Sequence, residues 1–463
     1  MTISRYGKML AMWAVLAAAF LVVSASAESK ARIVRLSEVQ GTVQIDRATG
    51  DGFDKAFINL PVIEGSKLKT GKDGRAEVEF EDGSALRLAP DSEVDFTRLS
   101  IGDDGQKLST VQLVSGTVYA NLHPKKADEK TRDQFQLNFA RESVTLSEAA
   151  HFRVELADAT ATVAVFKGKV NATSPAGQVE IAEKHSATVD LAKDGLANDD
   201  SAKKNGTFVI AKNYEDAPSD AWDHQQTTYH DRYVSAGGTN INSPYGYGMS
   251  DLNYYGSYMN CPGYGLGWQP YFMDASWSPF QDGGWMWYPG SGYMFVSAYP
   301  WGWMPYRYGN WAFAQGCGWM WQPGSWNSWY AIPRVVNPPK RMPVVEPPVR
   351  GRLTVMVGRG LTVNPPSGVP RRLTINPGSA GFGVPRGSVR HLDRVAKRMT
   401  QTSRPVTVAT APPVSTSAPT TGFGTGSPSI RGGSGRSTGM APMGAPPRSA
   451  APPRSPAPPS RPH

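Results

Sequence analysis

Between Trp268 and Trp329 the chain carries eleven of its thirteen tryptophans, set a few residues apart among Tyr, Gly and Pro. A tryptophan buries a large apolar area yet carries one N–H that needs an acceptor, so rings at this density form either a small packed core or a ligand platform. Alternation in Trp285-Met286-Trp287 and Trp319-Met320-Trp321 would point both rings of each triplet to one side of a strand, as packing requires. In the other reading some rings stay exposed and stack on sugar faces or clamp Pro-rich peptide. The candidate ligand-binding residues are then Trp268, Trp287, Trp303, Trp321, Tyr271 and Tyr306.

The same stretch is internally duplicated. Gly267-Trp268-Gln269-Pro270-Tyr271 returns as Gly302-Trp303-Met304-Pro305-Tyr306, and Trp285-Met286-Trp287 with Pro289-Gly290-Ser291 returns as Trp319-Met320-Trp321 with Pro323-Gly324-Ser325. A period of this size implies that each copy is one supersecondary unit of short strands and Gly/Pro turns, stacked on the next. Cys261 and Cys317 are the only cysteines and lie beside and within this aromatic unit. A disulfide between them would close a loop of roughly 56 residues, worth about 4 kcal/mol in chain-entropy terms to a small module.

The chain opens with Arg5 and Lys8, an apolar run from Met9 to Val23 and Ala25-Ser26-Ala27, a secretory signal pattern that would leave a mature N-terminus at Glu28. Export to the periplasm or cell surface is expected, which suits a disulfide. Charge is divided. Residues 331–463 hold nineteen Lys and Arg against Glu346 and Asp393, whereas the rest of the chain is acidic. The richness of this stretch in Pro, Ser, Gly and Arg, with Ala-Pro-Pro repeats near the end, reads as a solvated spacer or adhesive arm attracted to anionic surfaces.

From about Ala31 to Leu196 apolar residues alternate with polar ones, the mark of half-buried strands. Ala76-Glu77-Val78-Glu79-Phe80-Glu81, the turn Asp82-Gly83 and Leu86-Arg87-Leu88 predict a hairpin with the carboxylates on a solvated face. The same reasoning covers Val111-Gln112-Leu113, broken near Gly116 and resumed at Val118, and Val163 to Phe166 turning at Lys167-Gly168-Lys169. The fold class expected is all-β, with a sandwich or solenoid-like first unit.

These residues carry a resemblance. Gly41-Thr42-Val43, Ile63 through Gly71, Val78 through Pro90 and Leu113 through Val118 resemble a FecR-type domain, with Phe152-Arg153-Val154 and Val163 to Val170 as closing strands. The resemblance implies a protein-contact role; the family is named from sensors that pass an outer-membrane receptor signal to a cytoplasmic sigma factor. This chain departs from them in having no cytoplasmic regulatory segment ahead of its membrane-directed sequence. A second resemblance, carried by Trp268 to Pro270, Gly283-Gly284-Trp285, Pro300-Trp301-Gly302-Trp303 and Pro305 to Trp311, is to an uncharacterised aromatic-rich domain that often follows FecR-like domains; it implies no activity.

The resulting organisation is a signal peptide (1–27), a FecR-like β domain (31–196), a linker with a short helix around Ser219 to Tyr233 (197–244), an aromatic repeat module (245–330) and a disordered basic tail (331–463). No catalytic residue is expected: His123, His151 and His185 have no Ser or Cys elbow beside them, and Cys261 has no adjacent His. His224 and His230 with neighbouring aspartates match no established ligand spacing, so no metal or cofactor is assigned. The function expected is a non-enzymatic envelope adaptor contacting protein or anionic polysaccharide, touching membrane only peripherally and binding no nucleic acid. The alternatives are a carbohydrate-active enzyme or sugar-binding module, and an accessory to FecR-type surface signalling; oligomeric state is left open.

Overall fold

The alternation in the first third of the chain does produce strands, and they build two sheets that share one long strand. In the computed structural model residues 32–411 are described, except 103–104, 124–132, 147, 192–206, 235–240, 341–345, 350, 352–353 and 362–369. The expected signal sequence and the Ala-Pro-Pro repeats lie outside the described residues. No helix among those described is long and apolar enough to cross a membrane.

The shared strand is Lys107–Leu122. Its first half pairs with Glu93–Ile101 in one sheet, and its second half pairs with Ala85–Leu88 and Ala150–Leu156 in the other. The change of sheet falls at Gly116, where φ is +82° and a Cβ would sit 2.5 Å from the Asp91 carbonyl oxygen. Only glycine meets both demands. The break foreseen near Gly116 is therefore a corner at which the strand passes from sheet to sheet. Gly168 serves likewise: Thr160–Lys167 pairs with Ala150–Leu156, whereas Lys169–Ser174 pairs with Glu142–Thr145 in the other sheet. By contrast, the hairpin Arg75–Glu79 to Ala85–Leu88 forms as expected, Ala76 opposite Leu88 and Glu79 opposite Ala85. Inward residues of both sheets, among them Val78, Leu86, Phe96, Leu113, Val118, Phe152 and Val163, form one core.

The aromatic unit contains a five-stranded sheet, in the order Gly256–Cys261, Gly265–Pro270, Gly318–Gln322, Asn310–Ala314 and Val335–Val336, and a three-stranded one built on the hairpin Gly283–Tyr288 to Gly292–Ser297. The duplicated sequence does not become duplicated structure. Trp268 lies in a strand, whereas its counterpart Trp303 precedes the single helical turn Met304–Arg307. Trp285-Met286-Trp287 starts its hairpin and Trp319-Met320-Trp321 ends one. Equal local sequence is overridden by the neighbours each copy packs against.

The hairpin Gly283–Tyr288 to Gly292–Ser297 is apolar on both faces, and this joins the units. Trp285 and Phe295 enter the aromatic core, while Met286, Tyr288, Met294 and Val296 belong to the core of the first unit. Tyr288 also donates to the Pro61 carbonyl at 2.9 Å.

The tail reading from residue 331 onward is corrected for the described residues up to 411. Val335–Val336 and Val355–Val357 add to the two aromatic sheets. Arg372–Ile375 pairs with Val406–Ala409, and the helix Leu392–Thr402 buries Leu392, Val395 and Met399 against the aromatic core. Composition averaged over 331–463 concealed this apolar stripe at helical spacing.

Candidate functional site

Alternation places Ala76 and Val78 in the core, and so puts Glu77 and Glu79 on the opposite face of the strand, where a solvated surface is expected. Here the opposite face is covered. The linker helix Asp220–Val234 lays Trp222, Asp223, Gln226, Tyr229 and His230 over it, and the short helix Met249–Tyr255 adds Ser250 and Asp251. Glu77 and Arg87 are completely buried, as neighbours directly opposite on paired strands. A buried ion loses several kcal/mol of hydration unless a partner of opposite charge replaces the water, so the partners matter.

They come from six segments besides the strand Arg75–Glu79. Arg87 Nε lies 2.7 Å from Glu77 Oε2 and its Nη1 lies 2.6 Å from Asp223 Oδ1. Arg386, from the segment expected to be a free arm, sets Nη1 2.6 Å from Glu77 Oε1 and Nη2 3.0 Å from Asp251 Oδ2, and donates to the Ser37 carbonyl at 2.9 Å. Arg35 bridges Glu79 at 2.9 Å and Asp251 at 2.7 Å. His230 Nε2 sits 3.0 Å from Glu77 Oε1, with its Nδ1 3.0 Å from Ser250 Oγ. His151 Nε2 stands 2.7 Å from Asp223 Oδ2.

The electrostatics follow from these contacts. Burial pushes the Glu77 carboxyl up, but His230, Arg386 and Arg87 together hold it well below its ordinary value. The same contest leaves Asp251 low through Arg386 and Arg35, and Asp223 low through His151 and Arg87. Glu38 goes the other way: burial raises its pKa, and Arg386 offsets only part of that.

Ligand atoms of Glu77, Glu79 and His230 lie within 4.8 Å of one another, a spacing that could hold a metal ion. Guanidinium groups already hold most of these oxygens, however: both oxygens of Glu77 by Arg87 and Arg386, and Glu79 Oε2 by Arg35, while Glu79 Oε1 lies 3.4 Å from His230 Nδ1. The donor set fits an ion-pair clamp better than a metal centre. What the cluster does chemically is fix the first unit, the linker helix, the aromatic unit and the segment around Arg386 against one another.

The FecR protein family matches residues 66–171, from the start of the strand Lys67–Thr70 into Lys169–Ser174. Residues 66–171 form a FecR domain. Residues 249–340 match a family of unknown function, DUF6600, and cover the aromatic unit. No curated protein matches the chain. Two crystal structures of a candidate anti-sigma factor from Parabacteroides distasonis are similar at 16% identity with a TM-score of 0.26, over 36% of this chain and 72% and 71% of theirs. In these terms the ionic cluster lies where the FecR domain meets the linker helix and the DUF6600 region.

The candidate aromatic binders divide. Trp268, Trp303, Trp321 and Tyr306 are buried in the DUF6600 core and offer no open face to a ligand; Trp287 and Tyr271 are half-buried. Inside, Trp301 stacks on Tyr299 with ring centroids 5.0 Å apart and meets Trp268 at 4.8 Å. Some of the indole N–H groups find acceptors: Trp268 donates to the Leu252 carbonyl at 3.0 Å, Trp301 to Ala380 at 2.7 Å and Trp321 to Tyr308 at 2.7 Å, whereas those of Trp285, Trp311 and Trp319 are buried with no hydrogen-bond partner among the described residues. Cys261 and Cys317 are disulfide-bonded. The residues that sequence reasoning missed are Arg35, Arg87, Asp251 and Arg386. For Arg35 a signal existed, since a guanidinium between Val34 and Leu36 in an apolar strand needs a partner.

Proposed function

We propose that this protein is a non-enzymatic accessory of FecR-type surface signalling, in which the FecR domain makes protein contacts while the DUF6600 region and the segment through residue 411 hold it in a fixed setting. The observation that carries the reading is the FecR domain at 66–171, joined to the DUF6600 region by a shared apolar core and a buried ionic cluster. Such a junction suits a component that transmits or presents a contact, because neither part is free to move independently. The histidines and carboxylates of the cluster are engaged with one another and with arginines, which favours a structural role for them over acid–base work on a substrate.

The Cys261–Cys317 bond supports placement in an oxidising compartment, hence an exported protein of the periplasm or cell surface. A saccharide platform draws little support from rings that fill a core.

Affinity purification of the tagged full chain from crosslinked envelope extracts tests the reading. It requires enrichment of an outer-membrane receptor or a sigma-factor regulator over an untagged control. Recovery of neither, or cytosolic fractionation with free thiols, overturns it.

A further inference from the structure

The strand Val406–Ala409 pairs with Arg372–Ile375 in a sheet of only two strands. Its other edge carries backbone N–H and C=O groups with no strand beside them among the described residues. That edge borders a groove of about 540 Å³ whose opposite wall is the helix Leu392–Thr402. Val389, Val395 and Val408 are buried at its base, whereas His391, Arg394 and Arg398 are exposed along it. Arg394 and Arg398 stand four residues apart, so both lie on the same side of the helix.

Charge around the groove is one-sided. Arg371, Arg372, Arg390, Arg394, Lys397, Arg398 and Arg404 are all exposed, and Asp393 is the sole acidic residue between 371 and 411. Arg386, the remaining arginine of this stretch, turns inward to Glu77 and Asp251. Exposed like charges this close repel one another unless anions come near.

We propose that this groove docks an extended acidic peptide segment of a partner protein, which adds as a third strand on the free edge of Val406–Ala409 and sets carboxylates against Arg394 and Arg398. The inference rests on the protein-contact reading above and names the chemistry of the partner. An unpaired strand edge is complementary to a peptide backbone. An apolar base receives alternate side chains of an added strand, while the basic helix selects acidic ones. A polysaccharide or lipid surface would use the charge and leave both the edge and the valines unused.

The test is fluorescence anisotropy on the full-length protein with a labelled peptide of about eight residues alternating Glu and Val, the length of a short strand. Saturable binding is expected. It should weaken about tenfold or more in the double variant Arg394→Ala/Arg398→Ala and between about 50 mM and about 300 mM salt. The variant Lys69→Ala, which removes an exposed charge on the FecR domain, should leave it unchanged. A peptide of equal charge with Pro in place of each Val should bind at least about fivefold more weakly, because it loses the Val side chains that enter the groove and disfavours strand pairing. Equal binding of the Pro peptide, tighter binding of dextran sulfate through the same arginines, or no binding of the Glu/Val peptide overturns the proposal. If envelope partners still co-purify with the Arg394→Ala/Arg398→Ala variant, only this docking site falls and the protein-contact reading stands.

Discussion

Arg386 and Glu77 stand 309 residues apart in the chain, yet Nη1 of the one lies 2.6 Å from Oε1 of the other, with both side chains removed from solvent. The contact ties the C-terminal segment to the FecR domain and leaves neither charge a route to water. Arg386→Gln strands Glu77 and Asp251 with fewer counter-charges and is expected to destabilise the protein by about 3–5 kcal/mol. Urea unfolding of the purified variant measures this. A loss below about 1 kcal/mol would mean that the segment detaches at little cost.

The same cluster sets a pH dependence. Glu77, Asp251 and Asp223 have folded-state pKa values below their ordinary ones, so the unfolded chain binds more protons as pH falls. Their contribution is present above the unfolded carboxylate values of about 4 and is lost as pH drops through the lower folded values. Glu38, raised by burial, acts in the opposite sense and favours folding at lower pH. The melting temperature should therefore fall on acidification below about pH 5, and Glu77→Gln should flatten that fall. An unchanged slope in the variant would remove Glu77 from the account.

At Gly116 the strand shared by the two sheets changes sheet with φ +82°, against the Asp91 carbonyl and Ser92. Gly116→Ala should cost about 1–3 kcal/mol from the backbone conformation alone, with the close approach adding to it. Gly105, also at positive φ (+82°) but with nothing near its Cβ position, is the control, and Gly105→Ala should cost distinctly less. Chemical denaturation of the two variants compares them.

Reduction of Cys261–Cys317, or the double variant Cys261→Ser/Cys317→Ser, should lower stability by about 2–4 kcal/mol. Trp301→Ala should cost about 3–5 kcal/mol, since that ring contacts Trp268, Tyr299 and Trp311 and its N–H is bonded to Ala380. If either change left the melting temperature unmoved, the aromatic core would not be held as described.

Much of the fold was legible because strand periodicity is local. Ala76 to Leu88 announced its hairpin through alternation and an Asp-Gly turn, and the aromatic stretch announced a unit by density alone. What was not legible depended on a second layer. Alternation at Glu77 and Glu79 says which face is polar, but nothing in six residues says that a helix more than 140 positions later covers that face. The sheet-switching corners at Gly116 and Gly168 look like hairpin turns because both need positive φ. Residues 372–411 were hidden by Pro- and Gly-rich neighbours, although Leu392, Val395 and Met399 already stood at helical spacing. The copies Trp268 and Trp303 diverged because packing partners, which a repeat does not encode, decide secondary structure for short apolar runs.

The central claim is that Arg386 and Glu77 act as one buried pair clamping the C-terminal segment onto the FecR domain. A double-mutant cycle with Arg386→Gln, Glu77→Gln and their combination, read by urea unfolding of the full chain, tests it most directly. The account predicts a coupling of about 1–3 kcal/mol between the two sites. Additivity within about 0.5 kcal/mol would contradict it.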